Sequence, residues 1–426
     1  MSNSKTRRLA VAAVIAAAAL TMTACSGSPS SQSTAANGEL SGALKIDFGA
    51  GSQQAPMDAL IKAFEQEHPK VKINVTYLPA NSITQTILTQ LRGGNGPDVF
   101  YSNGGSGQTT SVQPLAKAGQ LASFDSAWTK DIPKAAESLY LYKDKVYGLP
   151  LAQVAVGIVY NSTVFDSLGI QVPKTVDDLL DACSVAKKDG KSIMTVAAAA
   201  GQNPGVLGQS IAASYVYSKI PDWNAQRAAD KTTFAKTPEW KQALQVVTKM
   251  NDAGCFVPGV AGTQTNQAFS QVAETSALTM PGPAGVINAV KAISDKDTLG
   301  IFPFPGTSSA NTRALVGYTD ALVVNAKSKN LAAAKAFVDY VGEPANAKIY
   351  TDAVSAISLQ DSAKGVVPED LSNFGPYLKD QKTVSTPNLE WPNGDVYNAF
   401  MTGIQGLLTG QQTPEQVLES MDAAWK

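Results

Sequence analysis

Asp320 interrupts an otherwise apolar run, ALVGYTDALVV, over residues 314–324. A carboxylate buried there without partners would be costly. It therefore either accepts nearby backbone N–H groups or faces a cavity, where it could accept hydroxyl donors from a ligand. Two stretches of glycine and short polar residues could share such a cavity, GAGSQQ (49–54) and YSNGGSGQ (101–108). No Lys-Ser or Lys-Thr follows their glycines, so neither fits a phosphate loop. Ser52, Gln53, Tyr101 and Asn103 are the candidate hydrogen-bonding residues, although such side chains also serve as turn formers and caps. Reaction chemistry is poorly supplied by comparison. The single histidine, His68, sits in FEQEHPK at the end of a helical pattern, and no G-x-S-x-G occurs. A serine triad and a histidine-ligated metal both lack their parts, and no cofactor is expected. The 35 Asp and Glu residues leave a carboxylate-pair glycoside hydrolase open.

The three cysteines divide into one and two. Lys5, Arg7 and Arg8 precede the apolar run Leu9 to Leu20, which ends at Met22-Thr23-Ala24-Cys25. A basic start, a short apolar core and small residues before a break describe an export signal over residues 1–24. The run is too short to cross about 30 Å of hydrocarbon. The tetrad resembles the bacterial lipobox, with Met22 where Leu is usual, so Cys25 is the expected lipid-anchored residue; an ordinary secretory signal is the alternative. The Ser/Gly-rich segment 25–42 then reads as a flexible tether. Cys183 and Cys255 remain, and an even pair in an exported body invites a disulfide rather than two free thiols.

Removing residues 1–24 leaves 426 − 24 = 402 residues, enough for two sizeable cores. The net charge of −1 and a pI near 6.0, with no basic cluster beyond the signal, exclude nucleic acid as the partner. ALKIDFGAG, VKINVTY and PDVFY read as strands, and between them lie helical patterns from Pro56 to Pro69 and from Ile83 to Gly93. That alternation describes a parallel, doubly wound α/β sheet, in which ligands sit beyond the carboxyl ends of the strands. Those ends are the two glycine-rich stretches. A second α/β region starts near residue 147. TVDDLLDACSVAKK and TPEWKQALQVVTKM read as helices capped by their leading threonines, and ALVGYTDALVV reads as one strand. Two closing helices part at Gly410.

Seven segments in register, AFEQEHPKVKINV, GNGPDVF, KVYGLPLAQVAVGIVYNSTVFDSLGIQVPKTVDDLL, AFSQVAETSALTMPGPAG, GIFPFPG, NAKSKNLAAAKAFVDYV and GLLTGQQTPEQVL, resemble the maltose-binding-like extracellular solute-binding proteins of bacterial sugar importers. The resemblance runs from about residue 44 to the end of the sequence. It implies a two-lobed periplasmic-binding-protein-like fold of type II, with crossings near 150–156, 316–319 and 354–357. An N-terminal lobe of 43–152 and 317–353 and a C-terminal lobe of 153–316 and 354–426 would follow. It also implies a monomer that takes a carbohydrate in the interlobe cleft and delivers it to the permease subunits of an ABC transporter. The membrane is then met only through lipidated Cys25, on the outer face of the cell membrane. Binding of a non-sugar solute and an adhesive lipoprotein are the rival readings. MPGPAG carries Ala284 where the family often has a sugar-stacking Trp, so another aromatic must substitute. Trp391 and Tyr397, in the segment matching a cleft-lining stretch of the family, are the expected replacements, with Tyr215 and Tyr217 as further candidates.

Overall fold

The computed structural model describes residues 39–426 other than 52, 80, 81, 201, 319 and 355. Cys25 and Ser52 lie outside the described residues. Among the described residues the strands are β1 (Gly42–Gly49), β2 (Val71–Leu78), β3 (Val99–Asn103), β4 (Leu141–Tyr142), β5 (Lys145–Val146), β6 (Leu149–Pro150), β7 (Val154–Asn161), β8 (Ser192–Met194), β9 (Ala277–Pro283), β10 (Leu299–Phe302), β11 (Ala314–Gly317), β12 (Asp320–Val324) and β13 (Thr383–Ser385). They form two main sheets and a small β4–β5 hairpin.

The first sheet has the order β2-β1-β3-β12-β6. β1 runs parallel to both β2 and β3, as the alternating strand and helix patterns require. The connections are the helices Gln54–Glu67 and Ile83–Arg92. Leu44, Ile46 and Phe48 point from β1 into the core, against Met57, Leu60 and Phe64 on the face of the first helix, all fully buried. Asp47 on the same strand is buried too, with Oδ2 left without a hydrogen-bond partner. Burial pushes its carboxyl above the usual value, and the Gln90 amide and the Lys45 charge offset this only in part.

The second sheet has the order β13-β11-β7-β9-β8, and β10 pairs with β7 beyond β11. The run 314–324, read from sequence as one strand, is split between the two sheets. β11 pairs with β7 and β13 in the second sheet, and β12 pairs with β3 and β6 in the first. The apolar pattern continues because both strands are buried, and it cannot show that the chain changes sheets in between. A second passage runs from β6 to β7. There Gln153, fully buried, exchanges backbone hydrogen bonds with Ile357 at 2.9 and 2.8 Å. Its Oε1 accepts the Ser362 hydroxyl at 2.7 Å and the Tyr318 hydroxyl at 3.4 Å. One glutamine thus joins the β6–β7 passage to the β11–β12 passage and to the chain near 357.

The second lobe is pinned by Cys183, on the helix Val176–Lys188, bonded to Cys255 with their Cα atoms 5.0 Å apart. Thr175 caps that helix, accepting from the Asp178 N–H at 3.1 Å. Thr237, expected to cap the helix Pro238–Asp252, does not. Its hydroxyl donates to the Thr233 carbonyl at 2.8 Å and accepts the Trp223 indole N–H at 2.9 Å. A buried indole N–H needs an acceptor, and the threonine supplies one at the expense of the cap. Gly410, with φ +69°, ends the helix Gly394–Thr409 in the left-handed conformation. Among the described residues, no helix is long and apolar enough to cross a membrane.

Candidate functional site

The register of the first sheet brings four of the sequence candidates to one place. β12 pairs with β3 so that Asp320 lies opposite Asn103. Tyr101 is two residues back on β3, pointing to the same face. Its hydroxyl donates to Asp320 Oδ1 at 3.0 Å and lies 3.2 Å from Asn103 Oδ1. Gln53, just before the first helix, directs Nε2 at Asp320 Oδ2 across 3.5 Å. Gln108 Oε1 accepts the Asn103 amide at 3.3 Å and the Thr84 hydroxyl at 3.0 Å, extending the polar chain to the helix Ile83–Arg92. All these groups lie beyond the carboxyl ends of β1, β2 and β3 or at the amino end of antiparallel β12, on one rim of the sheet. Ser52 would stand beside Gln53 but lies outside the described residues.

Sequence reading missed Tyr350. It lies on the helix Pro344–Ala353, fully buried, with its ring edge-on to Phe48, which is in turn edge-on to Tyr101. Its hydroxyl lies near the Asp320 carboxylate but outside normal hydrogen-bond geometry. Burial first, and then the negative charge of Asp320, push both Tyr101 and Tyr350 well above the ordinary phenol value. These tyrosines therefore stay protonated donors. A carboxylate can accept about four hydrogen bonds. Asp320 accepts one good bond from Tyr101 and one long contact from Gln53, which leaves room for hydroxyl donors. Asp320, Tyr101, Asn103 and Gln53 all keep partial exposure. No signal in the sequence singles out Tyr350, whose spacing is that of an ordinary buried helix face.

The structure puts Trp391 elsewhere. Its indole has no exposed surface and sits among Phe234, Trp240 and Phe400, ring centroids 5.6, 6.4 and 6.0 Å away. Its N–H reaches Asn224 Oδ1 at 3.3 Å. A ring enclosed on both faces cannot stack on a ligand, so Trp391 belongs to the core of the second lobe. Tyr215 and Tyr217 are buried there as well. Tyr397 is half-buried beside Trp391, its hydroxyl close to Gly205 of the helix Gln202–Ala212. Burial pushes its phenol up to about 12. Of the candidate aromatics, Tyr101 joins Asp320, while Trp391 and Tyr397 pack on the second lobe. Ala284 is buried. His68 closes the helix Gln54–Glu67, its ring 4.5 Å from that of Phe64. Among the described residues there is no cluster of three or more His, Cys, Asp or Glu placed to hold a metal.

The family described as bacterial extracellular solute-binding protein is matched over residues 50–348. The multiple sugar-binding protein of Streptococcus mutans is 26% identical over 349 residues, covering 79% of this chain and 78% of its own length. The melibiose/raffinose/stachyose-binding protein MelE of Bacillus subtilis is 24% identical over 416 residues, covering 96% and 93%. Among solved structures, apo RafE of Streptococcus pneumoniae superposes with a TM-score of 0.75 at 20% identity, over 90% of this chain and 97% of that one. RafE in complex with raffinose gives 0.71 at 20% identity, over 90% and 99%. The two-lobed α/β fold is the fold of these structures.

Proposed function

Because the chain belongs to the bacterial extracellular solute-binding proteins, we propose that it captures a carbohydrate, an oligosaccharide, between its lobes and delivers it to the permease of an ABC importer without transforming it. The relatives named for multiple sugars and for melibiose, raffinose and stachyose, and the neighbour holding raffinose, support the ligand class. The observation that carries the reading is Asp320, set on a sheet rim beside Tyr101, Asn103 and Gln53. Sugars offer hydroxyl donors around C–H faces, and a half-exposed carboxylate beside a half-exposed phenol ring answers both. Tyr101 then takes the stacking role that Ala284 cannot fill. The lobes divide at 43–152 with 317–353, and 153–316 with 354–426. The chain acts as a monomer on the outer face of the membrane, tethered by Cys25 through residues 25–42.

Thermal-shift screening against a library of mono- and oligosaccharides tests the reading. A cognate sugar at about 100 Kd adds about 2.7 kcal/mol to stability and is recovered unchanged afterwards. No shift with any sugar would overturn the ligand class, and a hydrolysed product would overturn the transport role. Cys25→Ser should release the protein from the membrane fraction; full retention there would overturn the anchor.

A further inference from the structure

The loop after β3 does more than line a rim: it grips the other lobe. The N–H groups of Ser106 and Gly107 both donate to the Leu389 carbonyl, at 2.8 and 3.1 Å. The loop itself is fixed to the first lobe, since Gly105 N–H donates to Leu139 O at 2.9 Å and Gly105 O accepts from Gln113 N–H at 3.0 Å. Leu389 belongs to the segment 386–391, which follows β13 of the second sheet and is held there from three sides. Thr386 N–H donates to Val316 O at 3.2 Å. The buried Gln209 donates to Asn388 Oδ1 at 2.7 Å. The buried Asn224 donates to Pro387 O at 3.3 Å and to Glu390 Oε2 at 2.6 Å. Both partners are therefore anchored in their own lobes before they meet.

Glycine is required at the contact. Gly105 has φ +76°, and a Cβ there would overlap the Leu389 carbonyl oxygen and lie 2.9 Å from its carbon and 3.1 Å from Leu139 Cδ2. Successive N–H groups that converge after a left-handed residue form a concave site for one oxygen, and here that oxygen comes from the opposite lobe. We propose that the loop 104–107 and the Leu389 carbonyl form a ligand-independent tie between the lobes that fixes their angle, with Gly105 as its positioning residue. The tie uses no group of the Asp320 cluster. It rests on the reading of a two-lobed binding protein, yet its test needs no sugar and so fails separately from sugar binding.

Hydrogen exchange on the ligand-free protein, resolved at single amides, reads the tie directly. Ser106 and Gly107 amides should exchange at least about tenfold more slowly than an unbonded loop allows. Gly105→Ala should remove that protection and enlarge the radius of gyration in small-angle scattering. Gly119→Ala is the control, because Gly119 is equally left-handed at φ +67° but has nothing within 4 Å of its would-be Cβ. It should leave both readouts as in the wild type. Loop-like exchange at Ser106 and Gly107 in the wild type would overturn the proposal without any variant. So would unchanged exchange in Gly105→Ala, or an equal loss of protection in Gly119→Ala.

Discussion

Replacing Trp391 by alanine separates a core ring from a sugar-stacking one. The indole has no exposed surface and touches Phe234, Trp240 and Phe400 edge-on or tilted. Truncating such a Trp costs about 3–5 kcal/mol through lost transfer energy and the cavity left behind. The Asn224 carbonyl loses one long hydrogen bond but keeps the Tyr217 hydroxyl at 2.7 Å, so the polar cost adds little. For a cooperative unit of roughly 150–250 residues, each kcal/mol lowers the melting temperature by about 2–4 °C, giving a fall of roughly 6–20 °C. Affinity measured well below the melting point should stay within about twofold of wild type, because no face of the ring reaches the cleft. A stacking role makes the opposite forecast: a loss of about 2 kcal/mol in binding, near thirtyfold, with melting almost unchanged. Differential scanning calorimetry on the ligand-free protein and titration calorimetry with the sugar of largest thermal shift give both numbers. A thirtyfold weaker affinity with melting within about 2 °C of wild type would refute the assignment to the core.

Asp320→Asn should weaken sugar binding by about 1.5–3 kcal/mol, ten- to a hundredfold, and Tyr101→Phe by less; titration calorimetry showing wild-type affinity in both would move the site away from this rim. Asp47 holds its proton more tightly in the folded chain than in the unfolded one, because burial raises its carboxyl from 3.8. Its contribution to stability is thus most favourable below that value and falls as pH rises through the folded value. Asp47→Asn should match wild-type melting near about pH 3 and exceed it at about pH 7, and parallel melting curves over that range would contradict the assignment. Closing a loop of 72 residues, the Cys183–Cys255 bond should contribute roughly 4 kcal/mol on the chain-entropy account. The double Ser variant should melt correspondingly lower, and the denatured, unreduced wild type should take up no thiol label at either position.

Much of the first sheet was legible because its chemistry is local. Period-two alternation in 44–48 and 71–77 and period-three-to-four spacing in the helices dictate which face each residue buries. Asp320 was legible for a related reason, since a lone carboxylate in an apolar strand demands an explanation. Trp391 was misread because burial of an aromatic depends on what surrounds it. Phe234 and Trp240 come from a distant part of the chain to meet it and the nearby Phe400, and spacing cannot announce that convergence. Thr237 shows a smaller version of the same limit: a threonine before a helix reads as a cap until a distant indole claims its oxygen. Tyr350 and the contact between the glycine-rich loop and Leu389 were invisible because each depends on tertiary placement alone. The change of sheet inside 314–324 was hidden from the apolar pattern because both halves are equally apolar; only the family resemblance, with its crossing near 316–319, pointed to it.

The place of β12 also sets an order of events in time. It lies between β3 and β6, yet it ends at residue 324, which is 324 − 103 = 221 positions after β3 is complete. At about 5–20 residues per second of synthesis, β3 waits some 10–45 s for its neighbour. Through that interval the edge of β3 presents unpaired N–H and C=O groups, a template for pairing with any other extended chain. Pairings across such a separation are also slow to find once the chain is released. The first sheet, though its first three strands are made by residue 103, therefore stays incomplete until most of the second sheet has been synthesised. A stop, cleavage or misfolding event anywhere between residues 103 and 320 strikes both sheets, the second directly and the first by denying it a central strand.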